Sequence, residues 1–290
     1  HIGDIAYLTQ FAEPTIAVLT NAMAVHIEGF GSIEAVAKTK GEIFENLPEG
    51  GVAIINQDEP FFQQWLQQAG KASVVTFSKY DTSANYYASN IHIQTNASTV
   101  FELHLAQQTI TIKLALLGEH NVLNAVAAAA AAMTAGATVD DVKKGLESVR
   151  PVDGRLKASA DSNRTVIDDT YNASPGSVMA AIDVLSGFSG RRCLILGTMA
   201  ELGGLAEKSH RDVANYARHK GIEELLVVGE FASLVSESFG AACLPFDDVQ
   251  QLLDVLDESL HSSVILVKGS RSAHMERVVE ALKKNNKREK

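Results

Sequence analysis

Four polar loops follow short apolar runs in this sequence, and three of them contain glycine. Binding or catalytic chemistry is most readily assigned to these loops. Where such a loop leads into a helix, it offers unpaired backbone N–H groups and the positive end of the helix dipole to an anion. One loop alone is an ordinary connection between a strand and a helix. Four together, shared between two domains, predict an interdomain cleft for anionic ligands. The four loops are residues 21–32, 168–175, 197–204 and 268–271.

The pattern around the first loop predicts an α/β domain. Short apolar runs alternate with helical periodicity from Thr15 to Phe77, which is typical of a parallel sheet with helical crossovers. Three runs with a period of two then occupy residues 86–116 and predict an antiparallel ribbon. An alanine-rich helix is predicted from Asn121 to Ala135, because alanine is the best helix former.

A second α/β domain is predicted after a hinge at Pro151–Leu156, where Pro, Asp and Gly cluster. Beyond it, strands and helices alternate regularly over about 130 residues, which indicates an open, doubly wound sheet. The predicted boundaries are 1–156 for a partial central α/β domain with an antiparallel β ribbon, and 157–290 for a Rossmann-like C-terminal domain. A chain of 290 residues is long enough for two domains.

Composition narrows the class of protein. Lys and Arg number 25 against 35 Asp and Glu, and the formal net charge of −10 disfavours nucleic acid or an anionic membrane as the main partner. The longest apolar stretch, Ala125–Met133, is far shorter than the ~20 residues of a membrane span, and no signal peptide opens the chain. Cys193 and Cys243 lie in apolar runs. They are therefore predicted to be core residues in a reducing compartment rather than a disulfide framework. These features predict a soluble, cytoplasmic protein.

Two common nucleotide-binding patterns are absent from the sequence. It contains neither the Gly-x-x-x-x-Gly-Lys-Ser/Thr phosphate loop nor the Gly-x-Gly-x-x-Gly dinucleotide fingerprint. A self-contained P-loop enzyme or a standard dehydrogenase is therefore poorly supported. The two separated cysteines and scattered histidines likewise form no zinc-ligand pattern.

Five spaced motifs together carry a resemblance to a known enzyme family. The first is His26-Ile27-Glu28-Gly29-Phe30-Gly31-Ser32, followed by Lys-Thr-Lys-Gly-Glu-Ile-Phe at 38–44, and it resembles the central-domain signature of the Mur ligase family. The other motifs occur in the family's order, and the resemblance covers essentially the whole chain. Within the family the motifs are most similar to the members that add D-alanyl-D-alanine. These other motifs are residues 118–125, 154–156, 169–173 and 268–271.

The resemblance also implies that a front part is missing. Members of the family carry a UDP-binding N-terminal domain, a P-loop and a metal-binding Glu, all of which would precede His1. Residues 1–290 would then be most of the central domain and the complete C-terminal domain. We expect that such a piece does not turn over by itself.

The implied activity is an ATP-dependent amide ligase of peptidoglycan precursor synthesis. ATP phosphorylates the carboxylate of UDP-N-acetylmuramoyl-tripeptide, and the amine of D-alanyl-D-alanine attacks the acyl phosphate to give an amide, ADP and phosphate. Because the transition states are strongly anionic, Mg²⁺ and cationic groups should dominate catalysis. The resemblance thus implies ATP and Mg²⁺ as cofactors, and a monomer without a nucleic-acid or membrane partner.

In the central domain the resemblance implies that His26 is a metal ligand and that Lys40 is the lysine this family carbamylates. A neutral amine adds CO₂, and the resulting carbamate binds Mg²⁺, which an ammonium cannot do. The residues alone leave open a hydrogen-bonded loop histidine and a solvated lysine on an amphipathic helix. Lys38 lies about 160° away around the helix, at ~100° per residue, and is the more ordinary surface lysine.

For ATP, the resemblance implies that Asn121 and Asn124 contact the adenine and that Arg155 and Asp169 hold phosphate and ribose. An Arg offers a fixed fork to phosphate oxygens, and a carboxylate accepts from ribose hydroxyls. From the residues alone, Asn121 is equally well a helix cap. Asp168 is disfavoured because strand alternation points it to the opposite face.

For the dipeptide, the implied pocket is lined by residues at the ends of two strands. Arg271 is the candidate partner of the dipeptide carboxylate, and a solvated residue at a helix start is an equal alternative. His210 falls inside a predicted helix, where a structural role is equally open. The implied lining is Tyr171, Asn172, Lys268, Ser270 and Arg271.

Two other functions stay open at this point. One is another ligase of the same fold, such as a diaminopimelate- or lysine-adding Mur ligase or a folylpolyglutamate synthase. Gly-Phe-Gly-Ser at 29–32 and Asp-Asp-Thr-Tyr-Asn-Ala at 168–173 argue against it. The other is a non-catalytic nucleotide-binding module that never had a P-loop.

Overall fold

A computed structural model of the chain describes residues 2–23, 30–94, 98–160, 164–259 and 264–285. The chain divides into two compact units, 1–150 and 151–290, so that the predicted hinge segment 151–156 belongs to the second unit. Within the described ranges, none of the helices has both the length and the apolar character needed to cross a membrane.

The first unit contains a six-stranded mixed sheet in the order β1-β2-β3-β4-β5-β6. Strands β1 to β4 pair in parallel, and β4, β5 and β6 form the predicted antiparallel ribbon. The ribbon is not a separate layer, because the start of β4 also pairs with the end of β3. The strands are β1 Ile16–Leu19, β2 Val52–Asn56, β3 Ser73–Ser78, β4 Tyr86–Ile93, β5 Thr99–His104 and β6 Thr109–Leu114.

Helices cover both faces of this sheet. Helices α4 and α5 pack on one face, where Phe101, Leu103 and Val126 are fully buried. Helices α2 and α3 pack on the other, where the Trp65 indole donates to the Ala37 carbonyl at 2.9 Å. The helices are α1 Asp4–Ala12, α2 Ile33–Gly41, α3 Phe62–Gln68, α4 Glu119–Thr134 and α5 Val139–Ser148.

Helix α1 was not predicted from the sequence, and it is held by polar contacts. The Glu42 carboxylate accepts from the backbone N–H of Gly3 at 2.9 Å and of Ala6 at 3.2 Å. Thr9 is buried, whereas three of the four large apolar side chains of α1 are exposed. The apolar pattern alone therefore gave no signal of how this helix is attached.

The second unit contains the predicted doubly wound sheet, in the order β11-β10-β9-β12-β8-β7. All neighbours are parallel except the edge pair β7 and β8. The edge strand β7 was not predicted. The strands are β7 Lys157–Ala160, β8 Thr165–Asp169, β9 Arg192–Gly197, β10 Glu224–Val228, β11 Cys243–Phe246 and β12 Val264–Lys268.

Strand alternation sends side chains to both faces of this sheet. Cys193 and Ile195 of β9 join the apolar cluster formed with α9 and α10. Helices α6 to α8 contact each other in sequence, and α6 contacts β9 and β12. Because the strands are parallel, the carboxyl ends of β8, β9, β10 and β12 meet at one edge. The helices are α6 Pro175–Ser186, α7 Ala206–His219, α8 Ala232–Phe239, α9 Val249–Ser259 and α10 Glu276–Asn285.

Candidate functional site

Lys40 lies in the last turn of α2 and is partly buried in the first unit. The helix starts where the Ser32 hydroxyl accepts from the Ala35 N–H at 3.2 Å, which makes Ser32 its N-cap. The Lys40 ammonium donates to the Asn21 carbonyl at 2.9 Å, just beyond β1. Burial lowers the pKa of Lys40, and the nearby Glu59 carboxylate opposes that shift. Lys38 is exposed, as expected for a surface lysine.

Glu59 is a charged neighbour of Lys40 that the sequence analysis missed. Its carboxylate accepts from the Ala22 N–H at 3.1 Å. Burial raises the pKa of Glu59, and the Ala22 hydrogen bond and the Lys40 charge oppose the rise. Glu59 follows β2 at the same sheet edge as the loop after β1. That position in the sequence could have identified it as a neighbour of Lys40. Lys40 thus sits between a backbone carbonyl and a partly buried carboxylate.

The predicted metal site is not complete in the described residues. His26 lies within residues 24–29, outside the described part of the chain. Among the described residues, no three His, Cys, Asp or Glu side chains are grouped so as to hold a metal ion. A lysine ammonium is not a metal ligand, so the described donors do not form a magnesium site by themselves. Both His26 and a carbamate on Lys40 stay predicted ligands.

The two asparagines predicted to contact adenine lie in the first two turns of α4. The helix begins after Gly118, whose φ is +93°, so the alternative that Asn121 caps the helix is wrong. Gly118 takes the cap position because its backbone adopts a conformation that L-residues rarely reach. The Asn121 amide donates to the Leu117 carbonyl at 2.8 Å, and the exposed Asn124 amide approaches Asn121 Oδ1 at 3.4 Å.

In the second unit, a buried ion pair joins the ends of β8 and β12. Lys268 Nζ lies 2.5 Å from Asp169 Oδ2 and 2.8 Å from the Asn172 carbonyl oxygen, and the two side chains are 4% and 13% exposed. The other Asp169 oxygen accepts from the Leu156 N–H at 3.2 Å. Burial raises the pKa of Asp169, and the Lys268 ammonium opposes the rise. Both residues were expected at a site from the sequence, but their pairing was not, because it depends on the register of β8 on β12.

Arg155 and Tyr171 form an exposed stack beside this ion pair. The Arg155 guanidinium carbon lies 4.0 Å from the centre of the Tyr171 ring. The two chain segments meet because the Tyr171 N–H donates to the Gly154 carbonyl at 3.0 Å. Gly154 has φ +75°, and an added Cβ would lie 3.1 Å from Tyr171 N. Arg155 therefore lies on the turn whose next residue, Leu156, donates its N–H to Asp169.

Asp168, the disfavoured neighbour of Asp169, makes structural contacts. It is buried, and its carboxylate accepts from the Gly154 N–H at 3.3 Å. The Thr170 hydroxyl also donates to it at 2.7 Å. Asp168 thus holds the turn at Gly154 against the end of β8.

The remaining predicted substrate residues differ in how free their side chains are. The buried Ser270 hydroxyl donates to the Thr198 carbonyl at 2.6 Å. The Asn172 side chain accepts from the Ala173 N–H at 2.8 Å. Arg271 is 68% exposed and lies 3.9 Å from Glu276. Arg271 is therefore the residue of this set with the most accessible charge.

A cavity of about 550 Å³ opens at the carboxyl edge of the second sheet. Thr198 after β9 and Gly229 after β10 form part of its wall. Gly229 has φ +109°, and an added Cβ would lie 2.2 Å from Thr198 Oγ1. The cavity also carries charges of both signs, from Glu230, Asp247, Asp248 and Arg277.

The two units correspond to two domains of one enzyme family. Residues 1–132 match the Mur ligase middle domain, and residues 154–271 match the glutamate ligase domain of Mur ligases. The chain belongs to the Mur ligase family. It is 41% identical over 289 residues to the UDP-N-acetylmuramoyl-tripeptide–D-alanyl-D-alanine ligase of Escherichia coli, covering 98% of this chain and 64% of the relative.

Solved structures agree with this relationship. A crystal structure of MurF from Acinetobacter baumannii is 30% identical, with a TM-score of 0.90 over 97% of this chain and 62% of that one. MurF ligase from Thermotoga maritima, in complex with ADP, is 26% identical, with a TM-score of 0.88 over 100% of this chain and 66% of that one. The chain thus spans about two thirds of the length of these relatives.

Proposed function

We propose that this chain supplies the central and C-terminal domains of an ATP-dependent ligase that joins D-alanyl-D-alanine to UDP-N-acetylmuramoyl-tripeptide. The enzyme would act in the cytoplasm, as a monomer, in the synthesis of peptidoglycan precursors. The name of the Escherichia coli relative supports this substrate pair over the other ligases considered. We also propose that residues 1–290 alone do not turn over.

The observation that carries the proposal is the grouping of Arg155, Asp169 and Lys268 at one sheet edge in the second unit. This edge is where open α/β sheets bind their ligands. The turn that carries the exposed Arg155 guanidinium also bonds the Asp169 carboxylate through Leu156. This arrangement suits a nucleotide, because the Arg fork pairs with phosphate oxygens. Asp169 would accept from a ribose hydroxyl with the lone pairs that Lys268 and Leu156 leave unused.

Lys40 supports the same proposal from the first unit. Carbamylation forms a bond between Nζ and the carbon of CO₂ and releases a proton, and only the neutral amine reacts. Burial lowers the pKa of Lys40 and so increases the neutral fraction at a given pH. We propose that the carbamate, with His26, holds Mg²⁺, which would neutralise phosphate charge when bound.

In the proposed reaction the residues of this chain bind and orient the reactants. Asn121 and Asn124 would hold the adenine, and Arg155 would fix the phosphates for transfer to the substrate carboxylate. Tyr171, Asn172, Lys268, Ser270 and Arg271 would surround the incoming dipeptide, with the exposed Arg271 facing its carboxylate. Holding the amine close to the acyl phosphate makes the attack effectively unimolecular.

The direct test is phosphate release by the complete gene product that carries this sequence. We expect release only when ATP, UDP-N-acetylmuramoyl-tripeptide and D-alanyl-D-alanine are all present, with L-alanyl-L-alanine as the matched control. Release driven by diaminopimelate, lysine or glutamate instead of the dipeptide would assign the chain to another ligase of this fold. ATP binding without any turnover would favour the non-catalytic module.

The carbamate has its own test. Changing Lys40 to Ala should abolish turnover, and short carboxylic acids should restore part of it by occupying the place of the carbamate. Lys38→Ala is the matched control, because Lys38 is exposed on the same helix. In ¹³C-labelled bicarbonate, the native protein should show one carbamate signal that the Lys40 variant lacks. Absence of that signal from the active native enzyme would contradict the carbamate.

A further inference from the structure

His210 is a buried histidine that none of the proposed steps uses. It lies in the second turn of α7 and is 1% exposed. Its ring stacks on Phe231, with 4.3 Å between the ring centres. Buried polar atoms in folded proteins are nearly always hydrogen-bonded, so both ring nitrogens of His210 are expected to have partners.

Both ring nitrogens of His210 have backbone partners, and these fix the tautomer. Nε2 lies 3.0 Å from the Met199 nitrogen, and Nδ1 lies 2.8 Å from the Ala206 carbonyl oxygen. A backbone N–H can only donate and a carbonyl can only accept. The ring must therefore be neutral, with its proton on Nδ1 and its Nε2 accepting from Met199. Burial lowers the pKa of His210, which favours the same neutral form.

The Met199 contact leads directly to the loop after β12. The carbonyl of the preceding residue, Thr198, accepts from the Ser270 N–H at 3.1 Å and from the Ser270 hydroxyl at 2.6 Å. Met199 and Ser270 are 1% and 3% exposed, so these bonds are shielded from water. A continuous path of hydrogen bonds and one peptide unit thus joins His210 to Ser270.

We infer that His210 is a positioning residue for the dipeptide pocket. Its Nε2 anchors the Met199 N–H, which orients the Thr198 carbonyl, and that carbonyl holds Ser270 and the 268–271 loop. His210 acts through these backbone groups and does not contact the substrate. The inference rests on the proposed function, because that function assigns Ser270 and its loop to the dipeptide.

The rival explanation is that His210 only fills space in the core, and matched variants separate the two. His210→Phe keeps an aromatic ring against Phe231 but removes the acceptor for Met199. His210→Gln keeps a side-chain acceptor of similar reach. His219→Gln, at the exposed end of the same helix, is the control. All variants are made in the complete gene product.

The first readout is hydrogen exchange, which does not depend on activity. In His210→Phe, the Met199 and Ser270 amides should exchange about tenfold faster. The buried Met199 N–H loses its acceptor, and that loss shifts the local opening equilibrium by roughly the same factor. His210→Gln should restore slower exchange, and the amide of Val213 in α7 should be unchanged. Unchanged exchange at Ser270, or an equal acceleration at Val213, would overturn the inference.

The second readout separates substrate binding from catalysis. In His210→Phe the KM for D-alanyl-D-alanine should rise about tenfold, while kcat and the KM for ATP stay within about twofold of native. His210→Gln should recover part of the dipeptide KM. An unchanged dipeptide KM, or an equal rise in the KM for ATP, would overturn the positioning role. If the native protein shows no dipeptide-dependent turnover, the proposed function fails, and the exchange result alone decides the coupling.

Discussion

The Asp169–Lys268 pair offers the sharpest test of how the second unit is built. Changing Asp169 to Asn keeps the shape of the side chain but leaves the Lys268 ammonium, 4% exposed, without its counterion. Removing one partner of a buried ion pair typically costs about 3–5 kcal/mol, because the remaining charge stays desolvated. The Asn172 carbonyl still accepts from Lys268. We therefore expect the lower end of that range, a loss of about 3 kcal/mol in the free energy of unfolding.

The opposite single change should behave differently with pH. Lys268→Met leaves a buried Asp169 carboxylate, and burial already raises the pKa of that group. Lowering the pH protonates the carboxylate and removes the unpaired charge, so the cost of Lys268→Met should shrink as pH falls. The double variant removes both charges, and it should be more stable than the sum of the two single losses predicts.

The assay must report on the second unit alone. Hydrogen exchange of the Ile167 and Leu266 amides does so, because β8 and β12 are buried central strands of its sheet. Glu280→Gln, also in the second unit, is the comparison, since the side chains of Glu280 and Lys284 are 66% and 76% exposed and loss of their pair should change stability by less than about 0.5 kcal/mol. A loss below about 1 kcal/mol for Asp169→Asn, or additive losses in the double variant, would refute the reasoning.

Substitutions at three single residues, His210, Gly229 and Arg155, test the structure further. Burial lowers the pKa of His210 below 6.5, so as pH falls the unfolded state binds a proton before the folded state does. The free energy of unfolding should therefore decrease as pH falls from about 6.5 towards the folded-state pKa. Urea titrations of His210→Gln should show a flatter dependence on pH. Gly229→Ala should lower the free energy of unfolding by more than about 1 kcal/mol, because φ is +109° and the new Cβ would meet Thr198 Oγ1. Hydrogen exchange at Leu226 measures the loss, and an unchanged rate would contradict the close approach. Arg155→Lys should weaken ATP binding about tenfold by calorimetry, because it loses the bidentate fork and the stack on Tyr171, and equal affinity would exclude a phosphate role.

The fold followed from the sequence wherever local pattern and tertiary environment agree. Buried parallel strands such as β10 read as continuous apolar runs, and the ribbon strand β6 reads as strict alternation. Both predictions are confirmed by the sheet order. The edge strand β7 was missed because its small and polar residues have no apolar period. Helix α1 was missed because the Glu42 carboxylate holds it, and that residue is 39 and 36 positions away along the chain from the two N–H groups that it accepts from.

By itself, the sequence determined the two α/β units, the loops at the strand ends and the family to which they belong. It also singled out Lys40, Arg155, Asp169 and Lys268 by their place in those loops. Only the tertiary structure decided the partners of each charge. The pairing of Asp169 with Lys268 depends on strand register, and the desolvation that shifts the pKa of Lys40 depends on packing. Residue types and spacing are local properties, whereas register, burial and hydrogen-bond geometry arise only when distant segments are brought together.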